Sequence, residues 1–247
     1  MRVERQGPSI YRGGVPRTDP QYVARWELDG VGGVVVAVDV IRAFTTAAYA
    51  FAAGAAEIWL VASVDDALAL GRSIPGSLVM GEEHGRRPPG FDLPNSPVAV
   101  SRLDLDGRVL VQRTSAGTQG VVAATSAERL FAAGLVCASA TAAAITEAGL
   151  GAPAYVITGR FPDAPDQGAD DLLTAELIER ARLGEALDAA RTTEAIRRSP
   201  EAAGTLTLGA GHVDPDDIAY AVDVDRFDFA MEVERLDGGL RLVRRDP

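Results

Sequence analysis

The chain has 247 residues, of which 47% are hydrophobic and only 6% aromatic, a composition that suits an α/β core packed with Ala, Val and Leu. A formal net charge of −11 argues against non-specific binding to nucleic acid or to anionic membranes, although a local cluster of arginines can still bind a small anion. No apolar run is long enough to span a bilayer, the N-terminus lacks the apolar stretch of a secretory signal, and the single Cys137 excludes an internal disulfide. We therefore expect a cytoplasmic protein with no membrane partner and no nucleic-acid partner.

The first predicted elements are a strand, a helix and a second strand. The run "VVVAV" (34–38) is typical of a strand buried on both faces, an Ala-rich stretch predicts a helix over 43–53, and "EIWLV" (57–61) predicts the next strand. We interpret these three elements as a βαβ unit with parallel strands. Gly54 is expected to follow the end of the helix, and Ser63 to cap the helix after it.

The alternation of strands and helices continues along the chain. Strands are predicted at "SLVM", "RVLVQ", "LVCAS" and "AYVIT", with helices over 121–132 and 142–148. Two amphipathic helices separated by Gly184 follow, then strands at "DIAYAVDV" and "FDFAMEVERL" and an edge strand at "GGLRLVRRD". The pattern predicts a layered α/β/α domain. We interpret residues 1–247 as one domain, in which 165–247 is the candidate for a C-terminal subdomain.

Charged and polar side chains gather where the predicted strands end. Asp39 and Arg42 follow the first buried strand, "EEHGRR" (82–87) follows "SLVM", and "RTSAGTQG" (113–120) follows "RVLVQ". The strands themselves carry almost no charge. Because ligands of open α/β sheets bind beyond the carboxyl ends of the strands, this asymmetry predicts a polar site at that edge.

Two of these segments allow a structural and a functional interpretation. Asp39 needs a cationic partner, since an unpaired buried carboxylate costs several kcal/mol. Either it pairs with Arg42 and caps the following helix, or it belongs to a ligand site, which its place between strand and helix favours. The loop after Arg113 is either an ordinary tight turn or an anion cradle made of backbone N–H groups. Arg113 favours the cradle, because a guanidinium group suits carboxylate, sulfonate and phosphate.

Other charged residues carry less information. The acidic stretches 163–171 and 214–226 are either solvated loops or the source of one or two ligands for a divalent metal. Of the two histidines, His84 lies inside the charged loop and is the better candidate for a site residue. Cys137 lies in an apolar run and is interpreted as a core residue.

Four segments, in this order, resemble the 2-phosphosulfolactate phosphatases, the ComB-like family: "DVIRAFTTAAYAFAAGA", "GEEHGRRPPGFDLPNSP", "RTSAGTQG" and "DDLLTAELI". The "GFD…NSP" block is the most specific of them, and the resemblance covers about residues 34–225. It implies a three-layer α/β/α fold with a mixed, largely parallel sheet. It also implies Mg²⁺-dependent hydrolysis of the phosphate of 2-phosphosulfolactate or a related 2-phospho-carboxylate, a step in coenzyme M synthesis. The family is oligomeric, and we expect a homodimer.

The resemblance and the chemistry of the side chains together assign roles. The catalytic candidates are Asp39, Arg42, Glu82 and Asp171. Three of these, Asp39, Glu82 and Asp171, are expected to hold Mg²⁺. The candidates for binding a small, anionic, phosphorylated substrate are Arg113, Thr114, Ser115, Gly117, Thr118, Asn95, Ser96, His84 and Arg86.

The sequence departs from the family pattern in segments expected to face the ligand. Glu83-His84-Gly85 stands where the family has Arg-Gly-Gly, Ser115-Ala116 where it has Thr-Asn, and "CASATAAA" lacks a family Asn. A second hypothesis follows from these departures: a catalytically impaired homologue that binds an anionic metabolite.

Overall fold

The structure, a computed structural model, describes residues 16–247. Ten strands join in one sheet: β1 (Gln21–Val23), β2 (Val34–Val38), β3 (Glu57–Leu60), β4 (Leu78–Gly81), β5 (Leu93–Pro94), β6 (Val109–Arg113), β7 (Arg129–Ala133), β8 (Ala154–Ile157), β9 (Ala230–Leu236) and β10 (Gly239–Arg245). The described helices are α1 (Ala43–Ala52), α2 (Val64–Ser73), α3 (Pro97–Ser101), α4 (Gly117–Ala123), α5 (Ala138–Ala148), α6 (Ala169–Arg182), α7 (Ala189–Arg197), α8 (Pro200–Leu206) and α9 (Asp217–Ala221). Short 3-10 helices lie at Arg25–Glu27 and Leu135–Cys137.

The sheet is made of two parallel halves joined by an antiparallel hairpin. Its strand order is β1-β8-β2-β7-β9-β10-β3-β6-β4-β5. The four strands on each outer side pair in parallel, whereas β9 and β10 pair antiparallel with each other and with their outer neighbours β7 and β3. With helices flanking this curled sheet, the predicted α/β class, the three-layer architecture and the mixed, largely parallel sheet are confirmed.

The twist of the sheet explains how both halves can contribute to one site. Five steps separate β2 from β6, and three of them are antiparallel, so the two strands run in opposite directions along the ladder. Each step also rotates the strand direction by about 20–25°, which sums to about 100–125° over five steps. This rotation offsets much of the difference in direction between β2 and β6. The carboxyl ends of strands from both halves can therefore face the same cleft.

The predicted βαβ unit is wrong in its pairing. β2 pairs with β7 and β8, while β3 pairs with β6 and β10, so the two strands belong to different halves of the sheet. The reason lies in α1, whose residues Ala43–Phe51 are all buried. A helix that is apolar all round is a core helix, and α1 packs in one cluster with side chains from both halves.

Three further element predictions are wrong, and one strand is misplaced. The predicted helix over 121–132 ends at Ala123, and β7 follows; "LVCAS" is a 3-10 turn entering α5; and "DIAYAVDV" contains α9. Short Ala- and Val-rich runs fit a strand and a helix equally well, so periodicity does not separate them. β10 was predicted as an edge strand, but it lies at the centre of the sheet, between β9 and β3. No local pattern reveals its pairing with β3, because β3 lies far away in the sequence.

Local signals at the helix ends are confirmed. The Ser63 hydroxyl accepts a hydrogen bond from the Asp66 backbone N–H at 3.0 Å, which caps α2 as predicted. Gly54 follows α1 with a φ of 104°, a conformation that favours glycine. No helix within residues 16–247 has the length and apolar character needed to cross a membrane. The single-domain organisation and the homodimer stay predictions.

Candidate active site

A cleft of about 830 Å³ opens beyond the carboxyl ends of β2, β4, β6 and β8. Eight of the sequence-predicted site residues line it: Asp39, Arg42, Glu82, His84, Asn95, Arg113, Ser115 and Asp171. Five others lie near it without lining its wall: Arg86, Ser96, Thr114, Gly117 and Thr118. The cleft also contains Asp163 and Asp170, which belong to the acidic stretch 163–171, and residues that the sequence did not single out, among them Arg25 and Glu201.

Three buried aspartates lie on one side of the cleft. Asp39 Oδ1 accepts the backbone N–H of Ala43, the first residue of α1, at 2.9 Å. Asp171 links the ends of two strands, because Oδ1 accepts the N–H of Val40 at 2.9 Å and Oδ2 accepts that of Gly159 at 2.8 Å. Asp170 precedes it at the start of α6 and is equally buried.

Burial and mutual repulsion make these aspartates hard to ionise. Burial, with the charge of Glu82, raises the pKa of Asp39 to about 6. Burial, with the charges of Glu201 and Asp39, raises the pKa of Asp170 to about 8. Burial and the same two neighbouring aspartates, Asp170 and Asp39, raise the pKa of Asp171 well above its usual value. A cation in the cleft would therefore stabilise their charged forms.

Glu82 links the turn after β4 to the loop after β6. Its Oε1 accepts the backbone N–H of Ser115, and its Oε2 accepts the N–H of Gly85 at 2.6 Å and the Ser115 hydroxyl at 3.0 Å. The Ser115 hydroxyl oxygen in turn accepts the backbone N–H of His84 at 2.9 Å. The carboxylate thus holds the "EEHG" turn against the loop after β6.

The 114–118 loop closes on itself. The N–H of Thr114 donates to the Thr118 hydroxyl at 2.9 Å, and the N–H of Thr118 donates to the Thr114 hydroxyl at 3.0 Å. Gly117 packs so tightly that an added Cβ would lie 2.7 Å from Asp39 Oδ2 and 2.7 Å from the Cβ of Ala43. These three residues therefore shape the loop and bring it against Asp39.

Arg42 pairs with Asp217 rather than with Asp39, so of the two interpretations of Asp39 the one with an Asp39–Arg42 pair is wrong. Its Nη1 lies 2.7 Å from Asp217 Oδ2 and 2.9 Å from the carbonyl oxygen of His212. Ser96 supports the pair, because its hydroxyl donates to Asp217 Oδ1 at 2.6 Å. Asp217 is fully buried, although its "DPDD" setting is typical of a solvated loop. Asp217 lies 175 residues from Arg42 in the sequence, so no local pattern predicts this ion pair.

The other predicted arginines are braces within the protein. Arg113 donates to the carbonyl oxygen of Glu82 at 2.8 Å and lies 3.3 Å from the Glu83 carboxylate. Arg86 reaches the carbonyl oxygen of Leu208 at 3.5 Å, on the segment after α8. Both therefore hold the charged loop in place against neighbouring segments.

Asn95 brings an unsatisfied polar atom to the cleft. The side chain is buried, and within residues 16–247 its Oδ1 accepts no hydrogen bond. A buried polar atom of this kind costs stability unless a partner is supplied. Since Asn95 lines the cleft, that partner can be a ligand.

The described residues fit a magnesium ion only in part. Across residues 16–247, no group of three or more His, Cys, Asp or Glu side chains stands close enough to hold a metal. Mg²⁺, however, is commonly bound by one or two carboxylates together with substrate phosphate and water. The repelling carboxylates of Asp39 and Asp170, with the free oxygen of Asn95 in the same cleft, meet that smaller requirement.

Comparison with known proteins supports the resemblance seen in the sequence. The sequence profile of the family described as 2-phosphosulpholactate phosphatase matches residues 22–235, which include every residue that lines the cleft. A Bacillus subtilis protein named as a probable 2-phosphosulfolactate phosphatase is 34% identical over 186 residues, covering 75% of this chain and 80% of its own length. A Thermus thermophilus protein of the same name is 37% identical over 183 residues, covering 72% of this chain and 75% of its own.

Proposed function

The chain belongs to the 2-phosphosulpholactate phosphatase family, and from this premise we propose that it is a Mg²⁺-dependent phosphatase acting on a small 2-phospho acid. The substrate we favour is 2-phosphosulfolactate or a related 2-phospho-carboxylate. The observation that carries the proposal is the cleft itself, which combines a buried arginine with buried, mutually repelling carboxylates.

Arg42 is the residue that we assign to the phosphate. Its Nη1 is held by Asp217 and by a backbone carbonyl, while its Nε and Nη2 donate to no acceptor in the described part of the protein. A guanidinium fixed at one end presents its other N–H groups in a defined direction. Those groups suit the phosphoryl oxygens, whose negative charge shifts during transfer, so Arg42 binds the substrate and stabilises the transition state.

Asp39 and Asp170 are the residues that we assign to Mg²⁺, with the Asn95 amide oxygen as a further candidate in the same cleft. When bound, the ion supplies Lewis-acid polarisation of the phosphoryl group. Both side-chain oxygens of Glu82 and both of Asp171 already accept hydrogen bonds from the protein, so in this proposal these two acids position the loops. Their role as metal ligands stays a prediction from the sequence.

The altered segments bear on the alternative of a non-catalytic binder. No residue of the "CASATAAA" segment (137–144) lines the cleft; it forms the entry to α5. This altered segment therefore lies outside the cleft wall, whereas His84, Ser115 and Ala116 of the other two altered segments line it. The binder remains an outcome of the test below rather than a second proposal.

Phosphate release is the direct test. Purified protein is incubated with 2-phosphosulfolactate and with 2-phospholactate, in Mg²⁺ and in EDTA. We expect Mg²⁺-dependent release, and a loss on the order of 10²–10³-fold in kcat for Arg42→Ala or Asp39→Ala. Arg72→Ala, an exposed arginine on α2, is the matched control and should keep wild-type turnover.

Three results would overturn the proposal or one part of it. Release that is equal in Mg²⁺ and EDTA removes the metal from it. Stabilisation of the fold by either ester without any release indicates a binder, and near-wild-type rates for both site variants refute the residue assignment.

A further inference from the structure

We propose that Arg25 binds an anionic group of the substrate other than the phosphate, namely a carboxylate or a sulfonate. Arg25 lies on the short 3-10 helix at Arg25–Glu27, and nothing in "YVARWELDG" marks it as a site residue. The inference rests on the proposed function, since it assigns the specificity of that same cleft.

Arg25 differs from the other arginines of the cleft in having no acidic partner. Among the described residues, three arginines line it: Arg25, Arg42 and Arg113. Arg42 is ion-paired with Asp217 and Arg113 with Glu83. Arg25 takes part in no salt bridge within residues 16–247, so its positive charge is the one left without a carboxylate.

Two contacts hold the Arg25 side chain in place. Its Nη1 donates to the carbonyl oxygen of Ser115 at 3.1 Å, and its guanidinium carbon lies 4.9 Å from the centre of the Phe161 ring. Both contacts leave Nε and Nη2 without an acceptor in the part of the chain that the structure describes. Contact with an aromatic face and one hydrogen bond fix the guanidinium while sparing one edge for an anion.

The charge balance of the cleft favours the same assignment. Among the residues that the structure describes, six acidic side chains line it: Asp39, Glu82, Asp163, Asp170, Asp171 and Glu201. A substrate with a phosphate and a second anion is repelled by such a wall unless each anionic group meets a cation. With Arg42 and Mg²⁺ assigned to the phosphate and Arg113 paired with Glu83, Arg25 is the arginine of the described cleft that remains for a carboxylate or a sulfonate. Arg25 lies between the loop after β6 and the loop after β8, as such a contact requires.

Three phosphate esters separate the possible roles of Arg25. 2-Phosphosulfolactate carries a carboxylate and a sulfonate, 2-phospholactate carries a carboxylate alone, and isopropyl phosphate carries neither. For Arg25→Ala we expect kcat/KM to fall about 10- to 100-fold on the ester whose second anion it binds, the range of a hydrogen bond to a charged group. Isopropyl phosphate should change by less than about twofold, because it lacks the anionic group on which that hydrogen bond depends.

The pattern over the esters identifies the anion. A loss on both acids indicates the carboxylate, and a loss on 2-phosphosulfolactate alone indicates the sulfonate. Arg25→Lys should restore part of the loss, since it keeps the charge without the planar fork. Arg160→Ala is the matched control: this arginine lies on the loop after β8, but its side chain donates to the carbonyl oxygen of Tyr22 and does not line the cleft.

Equal losses on all three esters, or no loss on any, would overturn the inference. If wild-type protein releases phosphate from none of them, the proposed function fails, and binding then tests Arg25 separately. The dissociation constants of sulfolactate and of lactate are measured by calorimetry for wild type and for Arg25→Ala. Weaker binding of either acid by the variant supports the inference. Equal binding, or no binding by wild type, refutes it.

Discussion

Asp217 is the side chain on which the position of Arg42 depends. Four groups donate to its carboxylate: Arg42 Nη1, the Ser96 hydroxyl and the backbone N–H groups of Val98 and Asp214. Asp217→Ala leaves the Arg42 guanidinium, only 3% exposed, without its counter-charge. Removing one partner of a buried ion pair costs about 3–5 kcal/mol, and we expect the free energy of unfolding to fall by that amount.

Asp217→Asn is the milder perturbation. The amide keeps the shape and one acceptor oxygen but loses the negative charge and presents an NH₂ group to one of the former donors. A hydrogen bond to a charged group is worth about 1.5–3 kcal/mol, so the expected loss is about half that of the alanine variant. Because the variant stays folded, its kcat reports whether Arg42 still points into the cleft, and we expect kcat to fall more than KM rises.

Urea unfolding provides the measurement, with Asp216→Ala as the matched control. Asp216 is the exposed neighbour, and its loss should change the free energy of unfolding by no more than about 0.5 kcal/mol. In a double-mutant cycle with Arg42→Met, the two losses should fall short of additivity by about 0.5–3 kcal/mol. The reasoning is refuted if Asp217→Ala costs no more than the control, or if the cycle shows additive losses.

Three further predictions concern the cleft. In EDTA, the free energy of unfolding should fall as the pH rises from 3.8 to about 8, because over that range folded Asp170 keeps a proton that the unfolded chain has released. Urea unfolding of Asp170→Asn should show a flatter pH profile. Equal slopes for the variant and the wild type would contradict this prediction. Gly117→Ala should cost about 1–3 kcal/mol in urea unfolding, since its Cβ would meet Asp39 Oδ2 at 2.7 Å; an unchanged midpoint would contradict it. Glu82→Gln should cost about 1–3 kcal/mol and raise KM, since an amide cannot accept all three hydrogen bonds from Ser115 and Gly85; unchanged unfolding and KM would exclude the bracing role.

Sequence patterns predicted the elements whose signals are local. The β-branched run of β2, the Ala-rich α1 and the Ser63 cap each depend on neighbours within one or two turns of chain. β7 was missed because "RLFAA" is short and Ala-rich, and only its pairing with β2 and β9 makes it a strand. The same long-range pairing placed β10 at the centre of the sheet.

The sequence likewise predicted only part of the candidate site. Residues at strand ends, such as Asp39 and Glu82, were found because the fold class itself predicts where ligands bind. Arg25 and Asp217 were missed, since each is defined by contacts that cross 90 or more residues of sequence. Thr114 and Thr118 were correctly placed in the loop, but their hydroxyls bond within it, which a motif alone does not reveal.

The hairpin that joins the two halves of the sheet imposes an order on assembly. During synthesis, β9 and β10 emerge after every other described strand, yet they lie at the centre of the sheet. Until they emerge, β7 and β3 each have an open edge, with backbone groups ready to pair with another chain. A chain truncated before Ala230 would therefore form two separate half-sheets, each with an exposed edge, rather than a slightly shortened version of the whole sheet. Such products should aggregate, and the last strands made are the ones that unite the cleft.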